Sequence, residues 1–348
     1  MKKLLLSVFF VSIVFPLISQ AQPTLKDKYK KYFPIGAAVS PRVLKSADSV
    51  LVISQFNSLV CENQMKPALV QPSEGVFTFK DADFVVAFAQ RNKMKLRGHT
   101  LCWHSQTPQW FFKEGENPVS KEVLKERLRK HIEAVVSRYK GKVYCWDVAN
   151  EVISDKDDEY LRSSSPWVKI LGEEFLEVAF RAAHAADPKA LLFYNDYDSE
   201  KPIKRDKIIR LVKSLKDKGV PVDGIGMQAH WKIGSPTREE IEKAIDMYSA
   251  LGVTVQFTEL DVSVYDSDDQ KQVTELSPEV DQKLADYYKM CFEVFREKKK
   301  KISGVTFWGV ADNFTWLDNY PVRGRKNYPL LFNTKREPKK AFNEVVNF

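Results

Sequence analysis

Glu151 and Glu259 are the two residues of this sequence best placed to do chemistry. Each sits at the end of a short apolar run, YCWDVANE for the first and VTVQFTEL for the second. Two carboxyl groups facing each other across a cleft can cleave an acetal. One holds a proton and donates it to the leaving oxygen, while the other attacks the anomeric carbon or activates a water. Position alone does not separate such a pair from two ordinary acids on a rim. Further polar residues share the placement. Glu62-Asn63, His99, Asn150, Asn195-Asp196, Gln228, His230 and Asp261 each finish or follow an apolar run, as does Trp308. Trp103, Trp110, Trp231 and Trp316 lie in or just beyond run ends. Flat rings complement the C–H faces of sugars, so Trp103, Trp308 and Trp316 are candidate stacking platforms. Packing under long loops is the alternative reading, and it is stronger for Trp110. Trp146 lies inside its run and is expected in the core.

For these residues to meet, the runs must be strands whose C-terminal ends share one rim. Eight apolar runs, near 35–39, 56–60, 96–100, 143–148, 190–195, 223–228, 253–260 and 304–309, alternate with helical patterns. Val123, Leu124, Leu128, Ile132, Val135 and Val136 form one stripe, ended by Gly141. Ser235-Pro236 reads as an N-cap and first turn. It precedes the stripe Ile241, Ala244, Ile245 and Tyr248, which Gly252 stops. Ser277-Pro278 opens another helix, running to the cluster REKKKK at 296–301. One-way alternation implies parallel strands joined by crossover helices. Eight such units predict an α/β fold, a TIM-type (β/α)8 barrel forming a single catalytic domain over 22–348. A doubly wound sheet would gather functional residues at only one crevice.

Residues 1–21 read as a secretory signal peptide. Lys2-Lys3 precede an apolar stretch from Leu4 to Ile18, and Ser19-Gln20-Ala21 fits a small-x-small cleavage site. The expected product is secreted or periplasmic, cut near Ala21. It has no membrane anchor, because the apolar stretch is short for a bilayer. Net charge is +8. The run at 296–301 reads as a solvated helix C-terminus, where cations are favoured. Without interleaved aromatics or a base-reading motif, no nucleic acid partner is expected. Cys61, Cys102, Cys145 and Cys291 form no CxxC pair and are expected as buried free thiols. His131 and His184 lie on helical segments and read as surface or structural; His104 reads as support for a loop. His99, His104 and His230 lack ligand-like spacing, so neither a metal nor another cofactor is expected. No linker or low-complexity tract divides the chain, which is expected to act as a monomer.

Seven strings stand in order at the run ends. They are Phe56-Asn57-Ser58 with Glu62-Asn63 and Lys66, Gly98 to Gln106 (GHTLCWHSQ), Trp146 to Glu151 (WDVANE), and Asn195-Asp196-Tyr197. Gly226 to His230 (GMQAH), Thr258 to Asp261 (TELD) and Phe307-Trp308-Gly309 complete the set. Together they resemble glycoside hydrolase family 10, the retaining xylanases, from about Gly36 to Phe342. One departure is Pro338-Lys339-Lys340-Ala341-Phe342, where the family pattern has a second Pro. The resemblance implies a retaining endo-1,4-β-xylanase, acting on xylan and xylo-oligosaccharides by double displacement through a covalent glycosyl-enzyme. Glu151 would be the acid/base and Glu259 the nucleophile, with the carboxyl groups about 5–5.5 Å apart. His230 would hydrogen-bond Glu259, and Asp261 would orient His230. Asn150 would bind the sugar 2-hydroxyl, with Gln228 beside the nucleophile. Glu62, Asn63, Lys66 and His99 would grip sugars on the non-reducing side, and Tyr197 would wall the leaving-group side. Two rivals remain at this stage. A related β-1,4-glycanase acting on cellulose would have to admit the hydroxymethyl group that xylose lacks. A xylan-binding protein without turnover would have no use for the two glutamates. The basic loop 318–328 offers Arg323 and Arg325 as contacts for acidic side groups on xylan.

Overall fold

The computed structural model describes residues 23–266 and 269–348, so the signal-peptide reading lies outside the described residues. Eight strands carry the fold: β1 (Ile35–Val39), β2 (Ser58–Cys61), β3 (Lys95–Trp103) and β4 (Cys145–Asn150), then β5 (Leu191–Asp196), β6 (Gly224–Met227), β7 (Thr254–Ser263) and β8 (Ile302–Phe307). Each pairs in parallel with its neighbours in chain order, and β1 also pairs with β8. The sheet therefore closes into the expected (β/α)8 barrel. The match follows from burial on both faces, which makes each strand a nearly continuous apolar run; β1, β2, β4 and β6 are buried throughout. The short strand His230–Lys232 lies parallel to the end of β7.

Beneath the rim the barrel interior is polar. Arg97 of β3 donates from Nη2 to Asp147 of β4 at 2.5 Å and from Nε to Gln256 of β7 at 2.9 Å. All three side chains are buried. A buried ion pair is tolerable only when its remaining polar atoms are satisfied. Here the second carboxylate oxygen of Asp147 also meets His99 Nδ1 at 2.9 Å, which ties the layer to the rim above it. Trp146 is buried, as expected, and its ring lies so close to β3 that a Cβ at Gly98 would stand 2.1 Å from it.

The helices follow their stripes with two corrections. In Lys121–Arg138, Leu124, Leu128, Ile132, Val135 and Val136 are buried, but Val123 is turned to solvent. His131 joins the buried face, with Nδ1 2.8 Å from Gln71 Oε1, and burial lowers its pKa to about 3. His184 is exposed. The helix expected to open at Ser235-Pro236 begins instead at Arg238. Thr237 is its N-cap, in a capping box with Glu240. That box satisfies two otherwise unpaired amides, whereas a Ser-Pro start would satisfy one. Ser277 does cap Pro278–Glu297. All four cysteines are free and buried, and burial pushes each thiol pKa upward.

Candidate active site

The C-terminal ends of the strands open into a cleft of about 470 Å³. Glu62, Asn63, Lys66, His99, Trp103, Asn150, Glu151, Tyr197, Gln228, His230, Glu259, Trp308 and Trp316 all line it. Asp261, the remaining candidate, sits one layer behind.

Glu151 follows β4 directly and has a positive φ of 56°. That region is costly for a non-glycine residue and persists only where neighbours enforce it. They do so here. The Glu151 amide donates to the Asn195 carbonyl at 2.9 Å, and Arg162 Nε donates to the Glu151 carbonyl at 3.1 Å. The Tyr194 hydroxyl accepts from the amides of Val152 and Ile153, at 3.2 Å each, and donates to Asp196. Burial raises the pKa of Asp196 to about 6 against the opposing charge of Lys204. The Glu151 carboxyl then receives one donor per oxygen: Trp103 Nε1 at 2.8 Å and Gln228 Nε2 at 3.0 Å. His104, read from sequence as loop support, stands 4.0 Å from the same carboxyl.

Glu259 lies on β7, at the point where its register against β8 slips between Phe257 and Leu260. Asn195 Nδ2 donates to one oxygen at 2.8 Å, and His230 Nε2 meets the other at 3.2 Å. The two glutamates share a chain of amides. Asn150 Oδ1 accepts from Asn195 at 2.8 Å and from Gln228 at 3.2 Å, so the contacts run from Glu259 through Asn195, Asn150 and Gln228 to Glu151. Both Asn150 contacts fall on its oxygen. Its Nδ2 has no protein partner among the described residues and is free to donate into the cleft. Asn195 has space to act because residue 226 is glycine; a Cβ there would stand 2.2 Å from Asn195 Oδ1. Asn195 was quoted within a string at the sequence level but given no role.

His230 bridges two carboxylates, with Nδ1 3.0 Å from Asp261 and Nε2 3.2 Å from Glu259. Trp316 Nε1 holds the other Asp261 oxygen at 2.8 Å. Burial disfavours the imidazolium, but the charges and hydrogen bonds of Asp261 and Glu259 outweigh it and raise the His230 pKa from 6.5 to about 10. For Glu259, burial pushes upward. His99, His230 and the Asn195 hydrogen bond outweigh it and bring the pKa from 4.5 to about 2. The stability supplied by protonated His230 is therefore complete below pH 6.5 and lost as pH rises through 10. That supplied by ionised Glu259 is complete above pH 4.5 and lost as pH falls through 2. In ¹⁵N-histidine NMR titrations, His230 should remain doubly protonated at pH 8, and Asp261→Asn should move its midpoint down. A wild-type imidazole that is neutral at pH 8 would contradict this charge arrangement.

Lys66 Nζ donates to Asn63 Oδ1 at 2.9 Å and lies 5.0 Å from the centre of the Trp103 ring. Burial lowers its pKa despite the three nearby carboxylates of Glu259, Glu62 and Glu151. Tyr197 is pinned from several sides. Its hydroxyl bonds Asp155, Arg162 Nη2 donates to it at 2.9 Å, and Lys204 Nζ sits 3.4 Å above its ring.

Two of the run-end tryptophans are packing residues, the reading favoured for Trp110 from sequence, and the reading of Arg325 is corrected. Trp231 is buried against Phe257 and Phe295 rather than facing the cleft. Trp110 stacks on Phe111 at 3.9 Å, away from the glutamates, with Nε1 donating to the Gln71 carbonyl. Arg325 is buried, with its guanidinium 4.3 Å from the Tyr265 ring and bonded to the Asp269 carbonyl, so it cannot reach a side group in the cleft.

Comparisons with known proteins identify similar chains. Endo-1,4-beta-xylanase of Geobacillus stearothermophilus is 50% identical over 327 residues, covering 93% of this chain and 98% of that one. The crystal structure of xylanase XynB from Paenibacillus barcinonensis, complexed with a conduramine derivative, superposes with a TM-score of 0.92 at 47% identity, covering 94% of this chain and 99% of the other. A mutant structure in complex with xylotriose superposes with a TM-score of 0.91 at 41% identity, covering 94% of this chain and 100% of the other. The model of glycosyl hydrolase family 10 matches residues 24–348, and this chain belongs to that family.

Proposed function

We infer that the chain is a retaining endo-1,4-β-xylanase. The observation that carries the reading is the amide chain joining Glu151 to Glu259 within one aromatic-walled cleft. The family relatives, named as xylanases, support it.

In the proposed reaction, xylan lies across the rim and Glu259, held ionised, attacks the anomeric carbon. The C–O bond to the leaving chain breaks as Glu151 gives its proton to that oxygen. The covalent glycosyl-enzyme is then opened by a water whose proton returns to Glu151, so configuration is retained. Asn150 Nδ2 serves the 2-hydroxyl, where hydrogen bonds strengthen as charge develops. Trp308, Trp316 and Trp103 supply flat apolar walls, with Trp103 also fixing the Glu151 carboxyl. The remaining site residues hold the chain: Glu62, Asn63, Lys66 and His99 on the glycone side, Tyr197 toward the leaving group. The leader-like residues 1–21 support export.

The test is a product time course on unsubstituted xylan. Mixed-length fragments should appear first and shorten later, and xylo-oligosaccharides should be cut faster than cello-oligosaccharides of equal length. Early release of a single monomer or dimer would replace endo by exo action.

A further inference from the structure

Asn150 and Glu151 break a rule of the strand that carries them. Successive side chains of a strand point to opposite faces. Yet Asn150, which ends β4, and Glu151, which follows it, both line the cleft. The φ of 56° at Glu151 makes this possible, because rotation about that N–Cα bond takes Cβ out of the alternation.

Such a torsion is held only when the groups on both sides of the bond are tied. On one side, the Glu151 amide donates to the Asn195 carbonyl at 2.9 Å. On the other, three successive carbonyls all run to one residue. Arg162 Nε donates to the Glu151 carbonyl at 3.1 Å, its backbone amide to the Val152 carbonyl at 2.9 Å, and Nη2 to the Ile153 carbonyl at 3.2 Å. The same Nη2 donates to the Tyr197 hydroxyl at 2.9 Å, and Nη1 donates to Asp155 at 2.9 Å. Every nitrogen of the guanidinium is engaged, and its planar fork fixes where these partners stand relative to one another. Arg162 is not part of the cleft wall, and the Glu151 carboxyl is bonded by Trp103 and Gln228 instead.

We propose that Arg162 is a positioning residue for proton transfer: by clamping the carbonyls of residues 151–153 behind the Tyr197 wall, it aims the Glu151 carboxyl at the leaving oxygen. It touches neither substrate nor the carboxyl and acts through the Glu151 backbone. The proposal rests on reading Glu151 as the acid/base. Released from the clamp, Glu151 relaxes toward the extended region and its carboxyl swings from the bond to be cut. Glu259 stands on another strand, held by Asn195 and His230, and keeps its aim.

The experiment measures kcat/KM of the full protein, Arg162→Met and Arg162→Lys on phenyl xylobioside and dinitrophenyl xylobioside. Both aglycones set an aromatic ring against Tyr197, so a change in that wall alone affects both. Phenolate leaves poorly without a proton, whereas dinitrophenolate needs none, and kcat/KM reports the bond-breaking step for each. In Arg162→Met the phenyl substrate should lose about 20-fold, the scale of a misplaced general acid, and the dinitrophenyl substrate less than about twofold. Arg162→Lys keeps a cation and donors but not the fork, and should lose about fivefold on the phenyl substrate alone. Equal losses on both substrates would overturn the proposal and leave Arg162 a structural residue. So would an unchanged rate on the phenyl substrate. If Arg162→Met does not fold, Arg162→Lys decides by the same outcomes. Glu151→Gln, measured alongside, tests the reading beneath: equal losses on both substrates in that variant would remove the acid/base assignment itself, whatever the Arg162 variants do.

Discussion

Glu259→Gln should lower kcat/KM on xylo-oligosaccharides by about 10⁴-fold or more, the scale seen when a covalent nucleophile is removed. The amide keeps the volume of the carboxylate and can still accept from Asn195, which now donates at 2.8 Å. Folding and substrate binding should therefore survive. A 2-fluoro xylobioside with a dinitrophenolate leaving group separates a nucleophile from a merely structural acid. It should add one glycosyl mass to the wild type at Glu259 and none to the variant. A variant that hydrolyses xylan at near-normal rate, or a label on another residue, would overturn the assignment.

Glu151→Gln should behave differently. On natural oligosaccharides kcat/KM should fall by about 10³-fold, within the range for loss of a general acid. Dinitrophenyl xylobioside needs no proton for its departure, so its first step should remain close to normal. The second step then lacks its base, the glycosyl-enzyme accumulates, and both kcat and KM fall. Azide attacks without deprotonation and should restore turnover, giving a β-glycosyl azide. Equal losses on both substrates without azide rescue would mean that Glu151 positions substrate and moves no proton. Trp103 and Gln228 both donate to this carboxyl, and an amide can accept from only one of them at its oxygen. A modest rise in KM on natural substrate is therefore also expected.

The eight strands were legible because each is an apolar run between helical stripes, and the rim residues because each ends such a run. The polar layer of Arg97, Asp147 and Gln256 was not legible. Inside an apolar run a charged residue reads as an interruption, and only ring closure brings these three together. Asn195 had no role for the same reason: its meaning lies in Asn150, Gln228 and Glu259 gathering around it from three other strand ends. Trp231 could have been placed from sequence. It follows His230 in a short strand, where successive side chains alternate, so a cleft-facing histidine turns its neighbour to the core. Arg325 could not have been. Nothing in DNYPVRGRKNY distinguishes the arginine that folds onto Tyr265 from the exposed Arg323.

The buried thiols bear on where this enzyme can operate. Cys61, Cys102, Cys145 and Cys291 are held as neutral –SH groups away from solvent, and a thiol in that state is a poor partner for exchange or oxidation. No covalent staple shortens the unfolded chain, so the native state rests on the closed ring of strands and its packing alone. The folded barrel therefore holds no cross-link whose formation or loss would follow the redox poise of its surroundings.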